Sequence, residues 1–113
     1  MPFINVKTNA SVSAEQAEQI KSALGSAITA IPGKSEGWLM VGIEDEAKLW
    51  FKGTDKPAAM TEVSLYGSAS PNALNQLTAK ITDILTNTVG IPADRIYVSY
   101  HATPNWGWNG SNF

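Results

Sequence analysis

Cysteine is absent from this 113-residue chain, and with it go disulfides, CxxC redox chemistry, thiolate nucleophiles and cysteine-ligated zinc. Histidine occurs once, as His101, so no histidine metal site can be built and no metal is expected. Charge is scarce. Lys and Arg number 8 against 10 Asp and Glu, a formal net charge of -2, and the cations are scattered, which argues against binding a phosphate backbone and leaves nucleic acid out of the expected partners. Charged residues make up 16% of the chain, below the roughly 25% of an ordinary soluble domain. Part of the surface is therefore expected to meet another chain, and a homo-oligomer is the first expectation. No apolar run approaches the ~18 residues of a membrane span. The start, Met1-Pro2-Phe3-Ile4-Asn5-Val6-Lys7, lacks the basic flank and apolar stretch of a signal peptide. No membrane partner is expected; the cytoplasm is the default compartment, and export would need a route without a signal peptide. Neither a Gly-rich phosphate loop nor a G-x-S-x-G elbow is present.

What remains is a chain the size of one domain, residues 1–113, able to bury a core without staples. Set against itself, the segment Gly33–Val41 aligns with Gly90–Val98. The order of element types repeats around it, giving a pseudo-repeat of about 2–43 and 59–100. Ser13 and Gln16 have the capping-box spacing, and apolar residues at Ala14, Ala17, Ile20, Leu24, Ala27, Ile28 and Ile31 predict a helix stopped by Pro32-Gly33. Ser70 and Pro71 start a second helix, which carries Leu74, Leu77, Ile81, Ile84, Leu85 and Val89 and stops at Gly90. Strands are expected at Phe3–Lys7, Trp38–Ile43, Met60–Tyr66 and Ile96–Tyr100.

The fold expected is α+β: two βαβ units of parallel strands forming a four-stranded sheet with both helices on one face. Alternation puts Ile4, Val6, Leu39, Val41, Val63, Leu65, Ile96 and Val98 toward the helices. The other face carries Asn5, Met40, Gly42, Glu62, Ser64, Tyr66, Tyr97 and Ser99, and no helix is left to cover it, so other subunits should. Outside the repeat, Lys48–Gly53 is an aromatic strand candidate suited to a sheet edge, and Thr103–Phe113 is a Trp, Asn and Gly-rich tail.

Pro2 would become a free secondary amine on removal of Met1, and a nearby cation with partial burial would bring its pKa toward that of a general base at neutral pH. With Met1 attached the nitrogen is a tertiary amide and no base. Lys34 has two readings: a cation favoured at a helix C-terminus, or one that holds an anionic substrate group and depresses a neighbouring amine. Tyr66, Tyr97, Ser99, Trp106, Trp108 and Phe113 can wall an aromatic pocket with hydroxyls in it, or serve as packing. Glu44-Asp45-Glu46 reads as a solvated turn, and His101 has no evident partner.

Met1-Pro2-Phe3-Ile4, Pro32-Gly33-Lys34, Pro92-Ala93-Asp94-Arg95-Ile96-Tyr97-Val98 and Gly107-Trp108-Asn109-Gly110-Ser111-Asn112-Phe113, in that order, resemble the macrophage migration inhibitory factor family of the tautomerase superfamily across essentially the whole chain. The resemblance implies a homotrimer with active sites at subunit boundaries. It further implies cofactor-independent keto–enol tautomerisation of phenylpyruvate-like aromatic 2-oxo acids, with dopachrome-like compounds as further substrates. Pro2 then matches the catalytic base and Lys34 the lysine that engages the substrate carboxylate. Tyr97 matches a tyrosine lent by the adjacent subunit, and Trp106, Trp108 and Phe113 fall in the pocket rim.

Several positions depart from the pattern. Tyr66 stands where Ile is usual, and Ser99 where vertebrate members often have Asn. Pro57-Ala58-Ala59-Met60 aligns with a CxxC of vertebrate members, so their thiol-oxidoreductase activity does not carry over. Arg95 is the only arginine, whereas decarboxylase and dehalogenase relatives set arginines beside the proline. The alternative function is a trimeric protein-binding or cytokine-mimic module that engages a protein receptor and keeps weak or vestigial tautomerase activity.

Overall fold

A computed structural model describes residues 1–113. The chain runs β1 (Pro2–Thr8), α1 (Ala14–Ala27), β2 (Met40–Glu44), β3 (Ala59–Tyr66), α2 (Pro71–Val89), β4 (Ile96–Thr103) and a small pair, β5 (Gly107–Trp108) and β6 (Ser111–Asn112). The main sheet has the order β2-β1-β3-β4. Each βαβ unit contributes a parallel pair, β1 with β2 and β3 with β4, and the two units meet antiparallel along β1 and β3.

Local chemistry accounts for the helix ends. Gln16 donates its backbone N–H to Ser13 Oγ at 3.1 Å and accepts from Ser13 N–H through its side-chain oxygen at 3.0 Å, a closed capping box. Ser70 Oγ accepts from Ala73 N–H at 3.1 Å, and Pro71 fills the first helical position. Gly90 ends α2 at φ 75°, left-handed backbone that a Cβ would strain. Beyond α1 a 3₁₀ turn, Ile28–Ala30, carries the helical path to the expected stop.

Ile4 and Val6 of β1, Val63 and Leu65 of β3, Ile20 and Leu24 of α1, and Leu77, Ile81 and Leu85 of α2 are fully buried in one core. Leu39, Val41, Ile96 and Val98 pack against that core only half-buried. They belong to the flanking strands β2 and β4 or their approach, which two helices cannot cover completely. The opposite face has no helix over it, and Met40, Glu62, Tyr97 and Ser99 stand exposed there.

Two expectations are corrected, and the tail gains a structure. Trp38 is not in a strand: Glu36–Trp38 form a 3₁₀ turn and β2 begins at Met40. Within the chain Lys48–Gly53 is not a strand either. Phe51 bridges only to Thr54 across a two-residue turn, because Lys52 and Gly53 both take positive φ and fold the segment on itself. The tail is ordered. Asn109 (φ 53°) and Gly110 (φ 86°) form the turn of the β5–β6 hairpin, the pairing that Asn-Gly favours through left-handed backbone at both turn positions.

Candidate active site

The start of β1, the approach to β2 and the end of β3 converge at one end of the sheet, since Pro2 pairs with Leu65 and Phe3 with Met40. Tyr66 ties this corner together through its backbone: its N–H donates to the Met1 carbonyl at 3.1 Å, and its carbonyl accepts from Lys34 Nζ at 2.9 Å. Lys34 reaches it from the turn after α1, where its own N–H donates to Ile31 O at 3.1 Å. Its ammonium also lies 5.9 Å from the centre of the Tyr66 ring, close enough for a weak cation–π attraction.

The Met1 amine is held below the ordinary value for a chain-terminal amine, first by burial and then by the positive charge and hydrogen bond of Lys34. Pro2 itself is buried. A cation beside the first residues therefore disfavours a second positive charge there.

A cleft of about 390 Å³ opens beside Pro2, lined among others by Phe3, Trp38, Leu39, Met40, Trp106 and Trp108. The hairpin supplies one wall. Phe113 N–H donates to Trp106 O at 3.0 Å, closing the tail on itself, and Trp108 meets Trp38 edge-to-face with centroids 5.2 Å apart. The Phe113 ring rests on Tyr66 at 5.0 Å.

The structure thus gathers Pro2, Lys34, Tyr66, Trp106, Trp108 and Phe113 at one corner, although Lys34, Tyr66 and Phe113 adjoin the cleft rather than line it. Tyr97 and Ser99 are not brought there. Tyr97 pairs with Met60 at the far end of β3 and packs on Phe51 at 4.9 Å, while Ser99 sits opposite Glu62. Sequence reading misses Phe3, Trp38 and Met40 as cleft residues. Strand alternation does not point to Trp38, which is in a turn, but the Asn109-Gly110 hairpin signal that delivers its partner Trp108 is legible. No group of three or more His, Asp or Glu side chains is placed to hold a metal ion, and no helix is long and apolar enough to cross a membrane.

Residues 1–113 match the family model described as macrophage migration inhibitory factor (MIF). A macrophage migration inhibitory factor homolog of Trichuris trichiura is 30% identical over 115 residues, covering 100% of both chains. Among solved structures, Leishmania major MIF2 superposes with a TM-score of 0.94 at 34% identity, covering 100% of this chain and 97% of that one. A neighbour of the same fold, solved after inactivation by 2-oxo-3-pentynoate, has a TM-score of 0.85 at 21% identity over 96% of this chain and 93% of its own.

Proposed function

The chain belongs to the macrophage migration inhibitory factor family, and on that premise we propose that it is a keto–enol tautomerase of phenylpyruvate-like aromatic 2-oxo acids, with Pro2 as general base once Met1 is removed. The observation that carries this reading is the placement of buried Pro2, paired with Leu65, beside an aromatic cleft and one residue along β3 from the Tyr66 carbonyl that holds the Lys34 ammonium. A 2-oxo acid needs a cation for its carboxylate, an apolar slot for its ring and a neutral base near its C3 carbon. On this reading Lys34, the tryptophans and, once Met1 is gone, Pro2 supply them.

In the reaction the neutral Pro2 nitrogen takes a proton from C3 of the keto form, electrons move onto the carbonyl oxygen, and the proton is returned to that oxygen to give the enol. The reverse path uses the same groups. Lys34 pairs with the carboxylate and favours the uncharged amine, while Trp106, Trp108 and Trp38 hold the ring. The solved neighbour inactivated by 2-oxo-3-pentynoate, itself a 2-oxo acid, fits a site of this kind.

The assembly proposed is a homotrimer. Strands β2 and β4 each leave one edge unpaired within the chain, and Tyr97 and Ser99 stand away from their own cleft, where a neighbouring subunit's cleft can use them.

The test is phenylpyruvate enol–keto interconversion by the mature protein, by Pro2→Gly and by a form retaining Met1. Blocking the amine with Met1 is expected to remove ~10²–10⁴-fold of the rate, and Pro2→Gly, which exchanges the secondary amine for a more mobile primary one, most of it. Equal rates in all three would exclude the mechanism, and negligible turnover in all three would favour the protein-binding module.

A further inference from the structure

Arg95 is the chain's only arginine, and it spends its donors on main-chain carbonyls. From the 3₁₀ turn Ala93–Arg95 that precedes β4, Nε donates to Pro57 O at 2.9 Å and Nη1 to Phe51 O at 3.1 Å. Nη2 donates to Thr54 O at 3.2 Å and to Lys56 O at 2.9 Å. Its guanidinium carbon lies 5.2 Å from the centre of the Phe51 ring. It forms no ion pair; the single salt bridge of the chain joins Lys21 and Glu18. A planar fork of five N–H groups can hold several carbonyls of a turn at once, which a lysine ammonium on a flexible stem cannot reproduce.

The loop so held carries Phe51, and Phe51 is what Tyr97 packs against, edge-to-face at 4.9 Å and 78°. Tyr97 lies two residues beyond Arg95 and keeps 60% of its surface exposed. Without a fixed Phe51 the phenol ring loses the ring contact that supports it from within its own subunit.

We propose that Arg95 is the positioning residue for Tyr97: by clamping residues 51–57 it seats the Phe51 ring, and Phe51 holds the Tyr97 phenol for the cleft of the neighbouring subunit. The proposal rests on the trimeric tautomerase reading above. It makes Arg95 act across a subunit boundary without touching the substrate. Its effect therefore falls on how the substrate ring is held, and not on the base.

Arg95→Met is expected to raise KM for phenylpyruvate roughly tenfold, a modest share of what a misplaced positioning group can cost, with kcat and the pH of the acid limb unchanged. Phe51→Leu, which leaves the guanidinium network in place and removes the aromatic face, should show the same split and serves if Arg95→Met does not fold.

Subunit mixing is the decisive arm. Trimers co-assembled from equal parts of Pro2→Gly and Arg95→Met protomers contain sites that combine an intact base from one with a well-held Tyr97 from the other. Random assembly makes these about a quarter of all sites. At phenylpyruvate concentrations well below the KM of the Arg95→Met parent, the mixture should exceed the average of its two parents, through a new low-KM component. A mixture no more active than that average, with Pro2→Gly inactive by itself, would overturn the proposal alone. A fully active Pro2→Gly parent would overturn the tautomerase reading and this proposal with it.

Discussion

Lys34 Nζ sits 2.9 Å from the carbonyl oxygen of Tyr66, the residue whose N–H holds the Met1 carbonyl at 3.1 Å. One residue thus holds both the Lys34 ammonium and the carbonyl of the Met1–Pro2 peptide bond. Lys34→Met should weaken phenylpyruvate binding by roughly 10–100-fold, the cost of losing a charged hydrogen bond of about 1.5–3 kcal/mol. It should also move the acid limb of the pH–rate profile upward. The sign follows from the charge: the Met1 amine is lowered by burial and then by the positive charge and hydrogen bond of Lys34, and if Lys34 acts in the same sense on the Pro2 amine of the mature chain, removing it lets that amine keep its proton to higher pH, so the base becomes active later. Steady-state kinetics across pH checks both effects. An unmoved limb would separate Lys34 from the base.

Gly110 takes φ 86° in the turn that turns Trp108 toward Trp38. An alanine there should strain the left-handed backbone by about 1–2 kcal/mol. The strain falls on a two-residue-per-strand hairpin, so the expected outcome is a loosened tail and a raised KM, with little change in the melting of the main sheet. Thermal unfolding followed beside the kinetics distinguishes a local change from a global one.

Thr61 is fully buried, and its Oγ1 has no hydrogen-bond partner. Thr61→Val replaces that unpaired hydroxyl with a methyl group of similar shape. The variant should be as stable as the parent or more so by about 1 kcal/mol, since an unsatisfied buried hydroxyl carries a desolvation cost and returns nothing. Urea unfolding of the two proteins measures it; a clear loss of stability would mean that the hydroxyl does have a partner.

The elements most legible in the sequence are those set by neighbours in the chain. Ser13 with Gln16, Ser70 with Pro71, and Gly90 each act within a helical turn: the first two pairs start their helices and Gly90 stops α2 where the spacing predicts. Strand alternation identified the buried face of β1 and β3 for the same reason. At the site, the ends of the chain and Lys34 come together, but the contacts that shape it span long separations. Trp38 meets Trp108, and Arg95 reaches Phe51, Thr54, Lys56 and Pro57. Periodicity reports which face a residue occupies and carries no information on which distant loop will meet it. Asn109-Gly110 was the exception, a local turn signal hidden in a segment that reads as a tail.

In the proposed mechanism the Pro2 nitrogen is free, uncharged near neutrality and governed by Lys34. Titration of the mature protein labelled with 15N-proline, followed by NMR at the terminal nitrogen, tests it most directly. The expected result is a single titration below the usual value of about 7.7–8.0 for a chain-terminal amine, coincident with the acid limb of kcat/KM and shifted upward in Lys34→Met. A nitrogen that stays protonated well above that limb, or an active protein that still carries Met1 on Pro2, would contradict it.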